Sequence, residues 1–217
     1  MKQKTWLREP FSGISHAVGA GLSLVGLVAL LVLAHGRPWQ TVAFALYGAS
    51  LVVLYTASTI YHSLWASPKG EARLQRFDHI AIYCLIAGSY VPRCLIPLRG
   101  VLGWALLGVE VGLAALGIGI VLGWRAAPDW VRMVIYLTMG WLIVAAFGPL
   151  RHVLPPAAMT WMVAGGVVYS IGAVIFATNR PNLWPGKFSA HDLWHLFVLG
   201  GSACHFMVML HLTSVNV

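Results

Sequence analysis

Two histidines four residues apart open the last apolar segment of the chain, in the stretch SAHDLWHLFV. Side chains at positions i and i+4 lie on one face of an α-helix. His191 and His195 can therefore offer two imidazole nitrogens to one metal ion, as the histidines of an H-E-x-x-H helix do. Asp192 directly follows the first histidine, which leaves two interpretations of this carboxylate. It is either the base of such a site or a cap and charge for the first turn of the helix.

The composition indicates an integral membrane protein. Hydrophobic residues make up 59% of the 217 residues and charged residues only 9%, whereas soluble domains carry about 25% charged residues. The net charge of +8 does not indicate a nucleic-acid partner. Its basic residues are scattered singly between apolar runs, as in the loops of membrane proteins, and form no basic stripe.

Seven apolar segments are long enough to cross a bilayer, which takes about 20 residues as a helix. Every backbone group must be satisfied within lipid, so we expect these segments to be helices. The fold class predicted is an all-α membrane protein, a single seven-helix bundle formed by residues 1–217. The predicted spans are roughly 14–34, 40–63, 79–98, 101–123, 131–150, 157–177 and 191–212.

The distribution of basic residues predicts the orientation in the membrane. Of the 14 Lys and Arg residues, ten fall in the N-terminal segment and in the connections after the second, fourth and sixth spans. The other four are Arg37, Arg93, Arg99 and Arg151. Cytoplasmic loops are enriched in Lys and Arg, so the N-terminus is predicted to be cytoplasmic and the C-terminus outside. We expect a multi-pass protein of the cell inner (plasma) membrane.

This topology brings polar residues from distant parts of the chain to one level of the membrane. His62 ends the second span in the stretch STIYHS, and Asp78 stands at the start of the third span. Both are predicted at the cytoplasmic end, where His191 and His195 begin the seventh span. Ser58 lies one turn before His62 on the same helix face. Polar groups at this depth are costly and are therefore functional candidates.

Three histidines with one open coordination position are typical of catalytic zinc. Zinc lowers the pKa of its water to about 7. Asp78 could accept a proton from that water, and Ser58 could orient the water or a substrate carbonyl. His16 and His79 lie near the same end and could surround the ligands. The alternative is that these histidines are hydrogen-bonded packing residues, since H-x-x-x-H pairs also arise by chance.

Four motifs give the chain a family resemblance. They are SHAVGAG (15–21), STIYHS (58–63), FDHIAIYCLIAGSYVP (77–92) and HDLWHLFVLGGSACHF (191–206). Over residues 9 to about 210, the chain resembles the hemolysin III family of bacterial membrane proteins. That family is related to the progestin and adipoQ receptors, which include the adiponectin receptors. The resemblance implies a seven-helix bundle with a cytoplasmic N-terminus and a zinc ion held by His62, His191 and His195. It also implies that Asp78 lies near the zinc-bound water and that Ser58 is the serine one turn before the ligand His62.

One position departs from the family pattern. The first motif of the family tends to read E-x-x-N-x-x-x-H, and this chain has Glu9, Ser12 and His16 at the three named positions. Serine lacks the amide of asparagine. The polar link that the asparagine makes is therefore in doubt in this chain.

The function predicted is a zinc-dependent hydrolase of the amidase or ceramidase type that acts on a membrane lipid amide or ester. Two alternatives remain open: a haemolysin that permeabilises membranes, with cytolysis as its activity, and a non-enzymatic sensor of membrane state with structural zinc. Two further polar residues have no part in this site. Glu110 lies in the fourth span without an evident partner. His205 is about 21 Å along the helix from His191, so a packing or hydrogen-bonding role is expected for it.

Overall fold

The chain folds as helices throughout the part that the structure describes. The structure is a computed structural model, and it describes residues 6–124, 126–185 and 187–215. Within these ranges there is no strand, so the predicted all-α class is confirmed. The helices are α1 (Pro10–Leu33), α2 (Pro38–Ser63), α3 (Pro68–Leu95), α4 (Val101–Gly123), α5 (Asp129–Trp141), a 3-10 segment (Leu142–Ala146), α6 (Phe147–Val153), α7 (Pro156–Thr178) and α8 (Ala190–Leu212).

Six helical stretches are long and apolar enough to cross a membrane. They are α1, α2, α4, α7, α8 and the stretch Asp129–Val153 that joins α5 to α6. Their surfaces are apolar as well: Leu22, Val25 and Val32 of α1 are all exposed. Lipid is the solvent that suits such a surface. The six stretches indicate a multi-pass membrane protein. The remaining long helix, α3, is the least apolar of the long helices.

Helix α3 begins well before residue 79, the predicted start of the third span. Ser67 caps the helix by accepting a hydrogen bond from the backbone N–H of Gly70. Pro68 occupies the first turn, where its missing N–H costs no hydrogen bond. Lys69 and Arg73 therefore lie on the first turns of α3 and not in a connection between helices. A polar helix start gives no hydropathy signal, which explains the difference.

The fifth predicted span, 131–150, is not one continuous α-helix, contrary to the expectation from its hydropathy. The hydroxyl of Tyr90, on α3, donates to the Met139 carbonyl at 2.6 Å and accepts from the Ile143 N–H at 2.8 Å. These two backbone groups would bond to each other in an α-helix. A side chain inserted there breaks the helix. Pro149 follows and cannot donate to the carbonyl four residues earlier. The sequence 142–146 consequently adopts a 3-10 conformation.

Close packing of α1 against α2 and α8 draws the two histidine-bearing helices together. A Cβ on Gly19 of α1 would lie 2.7 Å from a ring carbon of Tyr55 on α2 and 2.8 Å from Leu199 on α8. Only glycine fits at this contact. The N-terminal segment is also attached to the end of α2, because the Glu9 N–H donates to the His62 carbonyl at 2.9 Å.

Arg93, which also enters the predicted orientation, is buried in a helix instead of lying in a connection. The prediction counts Arg93 on the side opposite the N-terminus, but this residue is buried within α3 with 2% of its surface exposed. Its partners, described below, are side chains and carbonyls rather than solvent. Three other residues of that prediction, Lys2, Lys4 and Arg125, lie outside the described residues.

Candidate metal centre

Three histidines from two helices converge at one end of the bundle. His62 lies in the last turn of α2, and His191 and His195 lie in the first turns of α8. One ring nitrogen from each lies within 4.8 Å of the others, so the group could hold a metal ion. The Nε2 atoms of His191 and His195 are 3.1 Å apart. Two nitrogens on a tetrahedral zinc, each 2.0–2.1 Å from the ion, are separated by roughly 3.3 Å.

Glu9 orients the ring of His62. Its Oε2 atom lies 2.5 Å from His62 Nδ1, which must carry the hydrogen because a carboxylate only accepts. The other ring nitrogen, Nε2, is thereby left as the ligand atom. The hydrogen bond from His62 lowers the pKa of Glu9, and the charge of Arg8 acts in the same direction. A carboxylate behind a histidine ligand fixes the ring and raises its basicity.

Sequence reasoning missed this role of Glu9. The residue entered the prediction only as the first position of the family motif, and its partner lies 53 residues away. The one signal was its position immediately before α1 in the motif. Arg8 keeps the carboxylate in place, with Nη2 3.4 Å from Glu9 Oε1 and Nη1 2.5 Å from Glu71 Oε1.

The side chains of Asp78, on α3, and Ser58, on α2, lie close to each other. Both side chains are buried, with 8% of Asp78 and 2% of Ser58 exposed. Both also line the cavity that His62 lines. The structure thus brings the two predicted catalytic residues to the cavity that the histidine group lines.

The two further histidines predicted around the site differ in their contacts. The ring of His16 packs on that of His195 with centroids 3.9 Å apart, and its edge meets Tyr55 at 4.9 Å. Neither ring nitrogen of His16 has a hydrogen-bond partner among the described residues. His79 lines the cavity beside Asp78. The hydrogen bond found at His79 involves its carbonyl, which accepts from Tyr136 at 3.0 Å.

Asp192 caps α8, which agrees with the second of its two interpretations. Ser189 and Asp192 form a capping box in which each side chain accepts from the backbone N–H of the other residue. Asp192 also accepts a hydrogen bond at 2.9 Å from the hydroxyl of Ser12 on α1. Ser12, at the position that departs from the family pattern, thus makes a polar link that joins α1 to α8.

A cavity of about 400 Å³ extends from the histidine group into the bundle. His62, Asp78 and His191 line one end, and Arg93 and His205 line the other. His195 and His205 are ten residues apart, about 15 Å along α8. The wall also includes three exposed residues on α5, the 3-10 segment and α7, namely Trp141, Val144 and Val163.

A smaller pocket of about 360 Å³ adjoins the other side of the histidine group. Glu9, Lys187 and Asp192 line it, together with His62 and His191. These two histidines line both the pocket and the large cavity. The histidine group therefore separates an interior chamber from a polar pocket beside the chain segments that precede α1 and α8.

The remaining buried polar residues lie away from the histidine group. His205 Nδ1 lies 2.7 Å from Nη2 of Arg93, so the predicted hydrogen-bonding role of His205 is confirmed. Glu110 on α4 is fully buried, and its two carboxylate oxygens have no hydrogen-bond partner among the described residues.

Comparison with known proteins identifies the family. A family model described as Haemolysin-III related matches residues 4–206. The chain is 42% identical to Hemolysin-3 of Bacillus cereus over 204 residues, which cover 93% of this chain and 90% of the relative. It is 37% identical to the Hemolysin-3 homolog of Bacillus subtilis, with 93% and 92% covered.

A more distant relative comes from Homo sapiens. The chain is 27% identical to the Monocyte to macrophage differentiation factor over 176 residues, which cover 77% of this chain and 69% of the relative. These matches confirm the resemblance inferred from the four motifs. Because the family model spans almost the whole described chain and the two Bacillus relatives align with it nearly end to end, the chain belongs to the Haemolysin-III related family.

Proposed function

We propose that this protein is a zinc-dependent hydrolase that acts on an amide or ester lipid within the membrane. The observation that carries the proposal is the convergence of three histidine nitrogens within 4.8 Å of one another at the end of a cavity that Asp78 also lines. Three neutral imidazoles with an open position are the ligand set of catalytic zinc. No cysteine belongs to this group among the described residues, in contrast to many structural zinc sites.

The residues of the site would have two roles, binding the zinc ion and transferring a proton. His62, His191 and His195 would hold zinc, and Glu9 fixes the ring of His62. When bound, zinc supplies Lewis acidity and makes water a nucleophile near neutral pH. Asp78 would take up the proton that the attacking water loses and return it to the leaving group. Ser58 would orient the attacking water or the substrate carbonyl, since it lines the cavity with Asp78 and His62.

The two chambers on either side of the histidine group suit a reaction between lipid and water. Trp141, Val144 and Val163 belong both to the exposed surface and to the wall of the large cavity. A lipid chain would enter from the bilayer between α5 and α7 at these residues. Water would arrive through the polar pocket beside Lys187, on the other side of the histidines.

The proposal includes a topology of seven spans with a cytoplasmic N-terminus and an external C-terminus, in the plasma membrane. Helix α3 would be the seventh span, in addition to the six apolar stretches. The burial of Arg93 supports this orientation, since it leaves Arg37, Arg99 and Arg151 as the basic residues on the external side. The histidine group would then face the cytoplasm.

Replacement of Asp78 by Asn tests the hydrolase. Purified protein is incubated with lipid amides and esters, and fatty acid release is measured. We expect Asp78→Asn to keep its metal but to lose about 10²- to 10⁴-fold in turnover, the range for a general acid–base group. The control is Glu71→Gln, a carboxylate that lines neither the cavity nor the smaller pocket, which should keep full turnover. Lipid cleavage that survives both Asp78→Asn and His195→Ala would overturn the proposal.

The same variant separates the two alternatives left open by the sequence. The name of the Bacillus cereus relative favours a haemolysin. A membrane-permeabilising protein would release haemoglobin from erythrocytes equally well as wild type and as the Asp78→Asn variant, because no proton transfer is involved. A sensor with structural zinc would cleave no lipid and would need only His62, His191 and His195. Either pattern would replace the hydrolase.

A further inference from the structure

A second polar cluster occupies the end of the cavity that the proposed hydrolase does not use. Its centre is Arg93, of which 2% is exposed. Nη1 of Arg93 donates to the carbonyl and the hydroxyl of Ser89 at 3.1 and 3.2 Å, and Nη2 donates to His205 Nδ1 at 2.7 Å. The Nε atom has no hydrogen-bond partner among the described residues. An arginine side chain is therefore directed into the cavity with a donor unused.

No carboxylate of the described residues forms an ion pair with this guanidinium. The ion pairs found among the described residues involve Arg8, His62 and Arg132, and none involves Arg93. The charge of Arg93 acts on one acidic group, Glu110 of α4. Its oxygens accept no hydrogen bond from Arg93, and it does not line the cavity. A buried charge is costly unless a counter-charge contacts it, and arginine cannot become neutral in a protein.

The neighbours of Arg93 add further donors. Arginine has no acceptor, so His205 Nδ1 must accept and the hydrogen of that ring must lie on Nε2. His205 is thus a neutral donor at the cavity wall. The buried hydroxyl of Tyr47 also lines the cavity and has no hydrogen-bond partner in the described part of the chain. One positive charge and two neutral donors suit a single negative charge that carries oxygen acceptors.

The rest of the wall restricts the ligand to an amphiphile. Leu51, Ile86 and Val198 line the cavity between its two polar ends. The cavity volume of about 400 Å³ lies within the range of about 300–1,000 Å³ for small-molecule sites. An alkyl chain can pack along these residues, whereas a small hydrated anion would leave them in contact with water.

We propose that the Arg93 end of the cavity binds the carboxylate of an amphiphile, with the carboxylate on Arg93 and the alkyl chain along the apolar wall. A carboxylate matches the planar guanidinium and supplies the missing counter-charge. The site lies about 15 Å along α8 from the histidine group. It is independent of the proposed hydrolase and would exist whether or not the protein turns over a lipid.

The test is binding of dodecanoate to the full-length protein in a neutral detergent. Displacement of a fluorescent fatty acid gives the dissociation constant, and methyl dodecanoate serves as the uncharged competitor. Since a carboxylate also binds a metal ion, each measurement is made with and without EDTA. We expect wild-type protein to prefer dodecanoate over the methyl ester by at least about tenfold, which corresponds to roughly one charge-assisted hydrogen bond, before and after EDTA.

Two arginine variants locate the site. Arg93→Gln should weaken dodecanoate binding by about tenfold or more and leave the methyl ester unchanged. The matched control is Arg99→Gln, because Arg99 is an exposed arginine beyond the same helix, and this variant should bind as wild type does. Equal binding of dodecanoate by Arg93→Gln and wild type, with both proteins monodisperse, would overturn the proposal.

Two milder variants keep the test decisive if Arg93→Gln fails to fold. Arg93→Lys retains the charge and should keep the preference for dodecanoate over the methyl ester. Tyr47→Phe retains the ring and the charge of the site and should weaken dodecanoate severalfold. Wild-type protein that binds dodecanoate and methyl dodecanoate equally would also overturn the proposal, and this result needs no variant.

Discussion

The two ends of the cavity have opposite hydrogen-bonding character. At the end formed by α2 and α8, the groups that face inward are imidazole lone pairs and the Asp78 carboxylate. The other end is lined by Arg93, Tyr47 and His205, whose polar groups are a guanidinium, a hydroxyl and a neutral imidazole. The first end offers acceptors and negative charge, and the second offers donors and positive charge.

This difference explains why histidines at the two ends act differently. His62 has a carboxylate behind it, which holds Nδ1–H and leaves Nε2 as an acceptor for a cation. His205 has an arginine behind it, which occupies Nδ1 and leaves Nε2–H as a donor. The charge of the neighbouring residue thus decides whether a histidine binds a cation, as at one end, or donates to an anion, as at the other.

The largest expected effect is on the zinc content when one histidine at each end of the cavity is replaced by alanine. In His62→Ala we expect the zinc content to fall to near zero, from about one ion per chain in wild type, because two imidazoles do not hold zinc as three do. In His205→Ala the zinc content should stay at the wild-type value. Metal analysis by mass spectrometry on detergent-purified protein makes the comparison. Full zinc occupancy in His62→Ala, or equal loss in both variants, would break the distinction between the two ends.

The carboxylate behind His62 should have the next largest effect. Glu9→Gln should lower the zinc affinity by about 10- to 100-fold, the usual effect of removing the group that orients a histidine ligand. Competition with a chelator of known affinity measures the change. Glu71→Gln is the matched control, because Glu71 pairs with the same Arg8 but makes no ion pair with His62. Unchanged zinc affinity in Glu9→Gln would contradict the assigned role.

A smaller effect, on the free energy of unfolding, is expected from Tyr90, whose hydroxyl interrupts the fifth predicted span. Tyr90→Phe should lower the free energy of unfolding by about 1–2 kcal/mol, since the Met139 carbonyl and the Ile143 N–H both lose a buried partner. Unfolding in mixed micelles followed by circular dichroism gives this value. The control is Tyr136→Phe, which loses one hydrogen bond to the His79 carbonyl and should cost less. An equal decrease in the free energy of unfolding of the two variants would show that the Tyr90 hydroxyl contributes no more than a single hydrogen bond.

The smallest effect concerns the link between α1 and α8. Ser12→Ala should lower the free energy of unfolding by about 0.5–1 kcal/mol and leave the zinc content unchanged, because one hydrogen bond to Asp192 is lost. Ser15→Ala serves for comparison, since the hydrogen bond found for that hydroxyl goes to the Ser12 carbonyl of its own helix. A loss of zinc in Ser12→Ala would mean that the link also positions the ligands of α8.

Much of the histidine group could be predicted because its geometry is local. His191 and His195 meet on one face since four residues make about one helical turn. Ser58 and His62 share a face for the same reason. Their meeting across α2 and α8 followed from counting spans. Glu9 could not be assigned in this way, because its contact with His62 depends on how the segment before α1 returns to the end of α2.

The sequence by itself determined the helical class, the apolar stretches and the pairs Ser58–His62 and His191–His195, because helix periodicity and hydropathy are properties of neighbouring residues. Only the tertiary structure decided that Tyr90 interrupts the fifth span, that Glu9 orients His62 and that Arg93 faces a cavity rather than a loop. In each of these cases a polar side chain meets a partner from another helix. The packing of whole helices determines which partner each of these side chains meets, and residue spacing along the chain does not predict it.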